Sequence, residues 1–367
     1  MKIEKNRNRS IDIMKGLLIV LVVLGHSQAP VHRFIYLFHM AAFFIISGYL
    51  WKDDYSKTKK SLLILIKKRL YSLYRPYIIC NLVFVLISIV VPELFQFRKI
   101  TRKVHYIGIN VIKIMLLHGR TLLSDATWFI AVLFVISIIY GILIYCGKNI
   151  QHIVFFKITI SLISLIIAGF FSYSNFNFGQ VGTVFSALAM FSIGDVIKKV
   201  KFDSVLEKLM GRMSILIVTF LILIGLLLIE KKEVRMIDNS YPNIVYFFIA
   251  GVLGYLFIRE CANYLEKFEL LSNIFTLLGQ KSIYIMCIHM LAFKIVIFIQ
   301  CLVYNRNFKF LSSYPVLKTG GLNCWWMLYT FVGIIVPLIY GYIYEMLTSS
   351  KCVTKVNNLR LNEPPVR

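Results

Sequence analysis

Residues 11–29 read IDIMKGLLIVLVVLGHSQA, and the reading of this stretch decides the fold. It is apolar enough to lie in lipid, yet Asp12 and Lys15 stand at one end and His26 near the other. A titratable group at membrane depth is costly and marks a functional site by default. The alternative is an imidazole hydrogen-bonded inside a helix bundle, and this segment alone does not decide between the two.

Working outward, 59% of the 367 residues are hydrophobic and 16% are charged, with mean hydropathy +0.76. Soluble domains run at about 45–50% apolar and about 25% charged. The apolar runs are long and continuous, whereas barrel strands alternate over about ten residues. The expected fold class is therefore all-α, a polytopic transmembrane helix bundle. The formal charge of +24 does not call for nucleic acid, because Lys and Arg gather in cytoplasmic loops facing anionic lipid. The first apolar run has no small-residue cleavage site after it and reads as a retained anchor, not a signal peptide. Seven cysteines lie far apart without a CxxC, which implies neither a zinc site nor a disulfide framework, although Cys301 and Cys324 flank one loop.

Hydropathy predicts about ten spans: 11–29, 34–50, 76–91, 127–146, 154–171, 179–197, 214–229, 243–258, 282–304 and 325–347. With the N-terminus inside, the inner segments hold 26 basic residues and the outer ones 13. That bias predicts N-in and C-in. The exception is the outer segment 92–126, with Arg98, Lys99, Arg102, Lys103, Lys113 and Arg120 around an apolar patch from Ile107 to Leu117. It reads as an interfacial helix or as a local error of topology. Residues 1–347 form a single membrane domain, and residues 348–367 form a polar cytoplasmic tail. No soluble module is evident, so any chemistry falls to the bundle.

At 1.5 Å per residue, His26 lies about 22 Å from Ile11, in the outer part of a core about 30 Å thick. Span two runs back, and its His39 lies about 8 Å below the outer face. Two imidazoles at that depth suit proton transfer to or from an outside acceptor, though His39 is shallow enough to be solvated or merely packed. Before span three, KKRLYSLYRPY places Arg69 and Arg75 near the inner face. A guanidinium suits phosphate because its planar fork bonds two oxygens at once; ordinary positive-inside anchoring is the alternative. Further candidates are His289 in span nine, Trp128 at the start of span four, and Asp238 and Asn239 before span eight. Trp128 is also routine at an interface, and the last two could bond a sugar or cap a helix. No metal site is read from the sequence.

These motifs together resemble the acyltransferase-3 family of integral-membrane acyltransferases, especially its fucose-acetylase-like and polysaccharide O-acetyltransferase branch. The resemblance covers roughly residues 8–346. It rests on SIDIMKGLLIVLVVLGH in span one, FHMAAFFIISGYLW at 38–51, KKRLYSLYRPY, TWFIAVLF at 127–134 and GQKSIYIMCIH at 279–289. The chain departs from the family at three points. Lys15 stands where the family commonly has Arg, Ser72 falls on the second Arg of the RxxR pair begun by Arg69, and Ala41 replaces the common Pro.

The resemblance implies transfer of an acyl group, usually acetyl, from cytoplasmic acetyl-CoA as co-substrate. The acceptor it implies is a hydroxyl of a cell-surface polysaccharide, such as exopolysaccharide or capsule, or of its lipid-linked precursor. The setting it implies is the bacterial cytoplasmic membrane. His26 would be the general base or acyl carrier, with His39 beside it. Arg69, Arg75 and Lys15 would bind the donor phosphates. Fourteen residues separate Asp12 from His26, about 21 Å along the helix, so Asp12 belongs to the inner donor-binding site, paired with Lys15 at i,i+3, and not in a His–Asp dyad. If the phosphates stay inside while His26 lies outside, a narrow channel beside span one is expected. A transporter or flippase for a glycan or lipid is the competing class. Against it, the inverted repeats and broken helices that mark such proteins are not evident.

Overall fold

The computed structural model describes residues 8–94, 103–119, 121–174, 180–318 and 324–360. Among these it is helical, with one isolated bridge between Arg235 and Ser240 and no strand.

The first apolar run forms α1 (Arg9–His26). The second does not form one span. It divides into α2 (His32–Tyr36) and α3 (His39–Tyr49), an 11-residue helix. At 1.5 Å per residue α3 is about 16 Å long, half the hydrocarbon thickness. The ladder breaks at Phe38, whose backbone leaves the helical region (φ −142°, ψ −21°). Its ring lies so close to Gly254 that a Cβ there would sit 2.3 Å away. The break is thus set by a partner helix, which hydropathy cannot register.

Next come α4 (Lys59–Arg69) and α5 (Arg75–Val90), joined by one π turn over Leu70–Tyr74. Pro76, read from sequence as the opening of span three, therefore lies inside a continuous helix from Lys59 to Val90. Proline lacks an N–H and crowds the carbonyl four residues back, and a widened turn just before it relieves both problems. The apolar patch in segment 92–126 forms α6 (Lys103–Met115); Arg98, Lys99, Arg102 and Arg120 lie outside the described residues.

The remaining long helices are α7 (Trp128–Cys146), α8 (Ile153–Tyr173) and α9 (Val181–Lys199). A short α10 (Phe202–Met210) leads into α11 (Arg212–Ile229) and α12 (Ile244–Leu265). Then follow α13 (Glu269–Gln280), α14 (Ser282–Val303) and α15 (Trp325–Arg360). Residues 348–360, expected as tail, continue α15 as helix. Cys301 is a buried free thiol and Cys324 an exposed one.

Among the described residues eight helical segments, counting Lys59–Val90 as one, are long and apolar enough to cross a membrane, against about ten read from sequence. The other two are α1, which carries Arg9, Asp12 and Lys15, and the short α3. These two are nonetheless the centre of the bundle. Ile13, Leu18, Ile19 and Val23 of α1 and Phe44 and Ile45 of α3 are fully buried, and α1 is flanked by α3, α12, α13, α14 and α15. Helices in lipid approach closely where small residues face each other. At the α3–α9 crossing a Cβ on Gly48 would lie 1.8 Å from the Phe191 carbonyl oxygen, and one on Gly194 would lie 2.0 Å from that of Ile45.

At the Arg9 end of the bundle, the turn after α3 is tied by charge and hydrogen bonds to α7, α8 and α9. Lys157, fully buried, reaches Asp195 at 2.6 Å and Asp53 at 2.8 Å, and Lys199 pairs with Asp53 at 2.5 Å. Tyr140 donates to Asp195 at 2.7 Å. Asp195 therefore ties α9 to α7 and α8.

Candidate functional site

His26 is the last residue of α1. The chain then turns sharply, with Gln28 at φ 59°, and α2 and α3 bring Tyr36 and His39 back beside it. The Tyr36 hydroxyl lies 3.5 Å from His26 Nδ1. The Tyr36 ring stands 6.2 Å from that of His26 and 5.2 Å from that of His39. On its other side His26 meets His289 of α14, with ring centroids 5.3 Å apart and planes tilted by 35°. The structure thus brings together two imidazoles from helices far apart in sequence.

The helix geometry fixes two of these imidazoles. His39 Nδ1 donates to the Ile35 carbonyl at 2.8 Å, and His289 Nδ1 donates to the Ile285 carbonyl at 2.8 Å. A neutral imidazole with a proton on Nδ1 keeps its lone pair on Nε2. Both rings thus present Nε2 as the acceptor. His39 is buried, not solvated.

His26, Tyr36 and His39 line a cavity of about 440 Å³, within the range of small-molecule sites. Its wall includes Trp128, and its rim carries Asp125, Glu233, Arg235, Tyr314 and Lys318. The Tyr314 hydroxyl donates to Asp125 Oδ2 at 3.1 Å. Glu233 lies 3.8 Å from His32 Nε2, and Arg235 pairs with Asp238 at 2.7 Å. Trp128 is buried against this cavity and is not an exposed interfacial ring. Asp238 and Asn239 do not line it. Asp238 holds Arg235, while Asn239 takes a left-handed turn (φ 49°) and donates to the Ala168 carbonyl.

A second, smaller cavity of about 190 Å³ lies at the opposite end of α1, among Ser10, Tyr49, Asp203, Tyr255, Arg259 and Asn263. Arg259 pairs there with Asp203 at 3.4 Å and also with Glu207 and Glu260. Burial pushes the Asp203 carboxyl above its usual range, against the pull of Arg259. The two cavities share no lining residue. Between them Leu18, Ile19, Val22 and Val23 of α1 are buried, whereas Leu17, Val20, Leu21 and Leu24 of the same helix are half-buried.

The donor-side residues are dispersed. Asp12 and Lys15 form the expected i,i+3 pair at 4.0 Å on α1. Arg69 ends α4 half-buried, with its Nε buried and without a hydrogen-bond partner, and Arg75 is exposed on α5. The structure does not gather them into either cavity.

Sequence reasoning missed Tyr36 and the polar rim. Tyr36 stands in RFIYLFHM, where an aromatic reads as packing. The rim residues come from separate loops, and only the fold shows that they converge.

Fold and site define a multi-pass membrane protein with a cluster of imidazoles beside an interior cavity. The model of the acyltransferase-3 family, described as an acyltransferase domain, matches residues 8–342. The chain belongs to that family and is a membrane acyltransferase. No curated protein and no solved structure gives a match.

Proposed function

We propose that the protein moves an acetyl group from cytoplasmic acetyl-CoA to a hydroxyl of a cell-surface polysaccharide or its lipid-linked precursor. In this reading it sits in a bacterial cytoplasmic membrane with both termini inside. The observation that carries the reading is His26: a half-buried imidazole at the far end of a helix whose other end holds Asp12 and Lys15. The cavity beside it is rimmed by loops that the Lys and Arg bias assigns to the outside. His26 takes the proton of the acceptor hydroxyl. The hydroxyl oxygen bonds to the acyl carbon as the thioester C–S bond breaks, and the proton passes to the departing sulfur. In the two-step variant the acyl group rests first on the imidazole nitrogen.

Arg69, with an unpartnered buried Nε, supports an anion site for the donor phosphates, with Arg75 and Lys15 as further cations. In this reading the acyl-bearing arm reaches His26 along α1, past Leu18, Ile19, Val22 and Val23. A His26→Ala strain with normal protein levels should lose the O-acyl groups of its surface polymer. Unchanged O-acyl content would overturn the reading.

A further inference from the structure

His289 is fully buried, and its Nε2 is buried with no hydrogen-bond partner. An orphaned buried acceptor is costly, and such a group in a native core calls for an explanation. Nδ1 of His289 is committed to the Ile285 carbonyl, so Nε2 can only accept. The polar ring beside it is His26, with centroids 5.3 Å apart. Two imidazoles joined edge to edge by one N–H···N bond of about 3 Å place their centroids roughly 5 Å apart. His26 has Nδ1 turned to the Tyr36 hydroxyl, which leaves Nε2 for His289.

We infer that His289 is a positioning residue for His26, accepting the His26 Nε2–H and thereby fixing Nδ1 as the basic nitrogen at the cavity. The two rings are tilted by 35°, and rotation of the His26 side chain closes the bond. The fixed direction follows from three parts. The Ile285 carbonyl sets the His289 tautomer, His289 sets the His26 tautomer, and Tyr36 marks where the acceptor hydroxyl would give up its proton. This is how a second polar group orients a catalytic base without touching substrate. The inference rests on the reading of His26 as base, but its first test does not.

The test is nitrogen NMR of ¹⁵N-histidine-labelled full-length protein in nanodiscs, with His26 assigned from a His26→Gln sample. His26 should carry its proton on Nε2 in the unmodified protein. In His289→Phe, which keeps a ring in the core, it should shift to a tautomer mixture or to Nδ1–H. In His289→Gln, whose side-chain oxygen can accept the same bond, Nε2–H should persist. An unchanged His26 tautomer in His289→Phe overturns the inference. Acyl transfer by the same membranes, followed as CoA thiol release from acetyl-CoA, gives the second readout. Activity should fall at least tenfold in His289→Phe, through kcat and not KM, with substantial recovery in His289→Gln. If the tautomer responds but His26→Ala leaves transfer intact, the pairing stands and the assignment of His26 as base fails.

Discussion

Gly279 of α13 lies against the backbone of Asp12 on α1, so close that a Cβ there would meet the Asp12 carbonyl oxygen at 1.9 Å. The contact is reciprocal: a Cβ on Gly16 would meet the Phe275 carbonyl oxygen at 2.0 Å. Both obstacles are backbone, which cannot rotate aside, so the helices would have to separate. Gly16→Ala should therefore destabilise the bundle by about 1–3 kcal/mol, the usual cost of overpacking. Thermal unfolding in detergent should show a clear drop. Gly225, whose Cβ would meet nothing within 4 Å, is the matched control and should be unaffected by the same change.

Lys157 gives a second prediction. Its ammonium is fully buried between Asp195 and Asp53. Removing one partner of a buried pair leaves an uncompensated charge and costs about 3–5 kcal/mol, while replacing the pair with apolar groups is often close to neutral. Lys157→Met should lower the unfolding temperature sharply. The double variant Lys157→Met/Asp195→Leu should recover part of the loss, with Asp53 still paired to Lys199. A double variant worse than the sum of the singles would contradict this account.

Asp53, in the turn after α3, supplies a pH prediction. Burial alone would raise its carboxyl pKa, but hydrogen bonds and charge from Lys157 and Lys199 outweigh it and hold the group below its usual value. A depressed folded value means that the unfolded chain takes up the proton first. The contribution of Asp53 is therefore fully present above the unfolded value of about 3.9 and is lost as pH falls through the lower folded value. The gap in unfolding temperature between the unmodified protein and Asp53→Asn should hold steady from pH 8 to pH 5 and close only below about pH 4. A gap that closes already near pH 6 would place the stabilisation elsewhere.

The helical class and most span positions were legible because period and length of apolar runs are local properties. The division of 34–50 into α2 and α3 was not, since Phe38 breaks the ladder to pack on Gly254, more than two hundred residues away. Pro76 was misread for a related reason: a π turn lets it sit inside a helix, and nothing in composition announces that turn. At the site, His26 and His39 were singled out because imidazole is costly in apolar sequence. His289 was flagged by the same rule, but its meeting with His26 was not, because rise per residue gives depth along one helix and not the tilt between two. Lys157 falls inside the apolar run 154–171, and nothing local to that run shows what neutralises it. Its burial between two carboxylates depends on Asp53 and Asp195 converging from the turn after α3 and from α9.

Lys294 carries the last prediction. It lies on α14, buried at 5% exposure, and its ammonium donates to the carbonyls of Leu311 and Ser313 at 2.8 and 2.7 Å. These carbonyls belong to the loop that carries Tyr314, Pro315 and Lys318 to the cavity rim. Hydrogen bonds from a charged donor contribute about 1.5–3 kcal/mol each, so Lys294 pins the loop from beneath. Lys294→Met keeps the aliphatic stem in place but leaves both carbonyls unpaired. The loop should lift, and Tyr314 should lose its bond to Asp125. Limited proteolysis of the nanodisc-embedded protein should then cut within residues 305–318 faster than in the unmodified protein. In the proposed reaction, acceptor KM should rise about tenfold, roughly the effect of losing 1.4 kcal/mol of binding, with a smaller change in kcat because His26 and Tyr36 are untouched. Unaltered cleavage together with an unaltered KM would show that this loop is held by contacts other than Lys294.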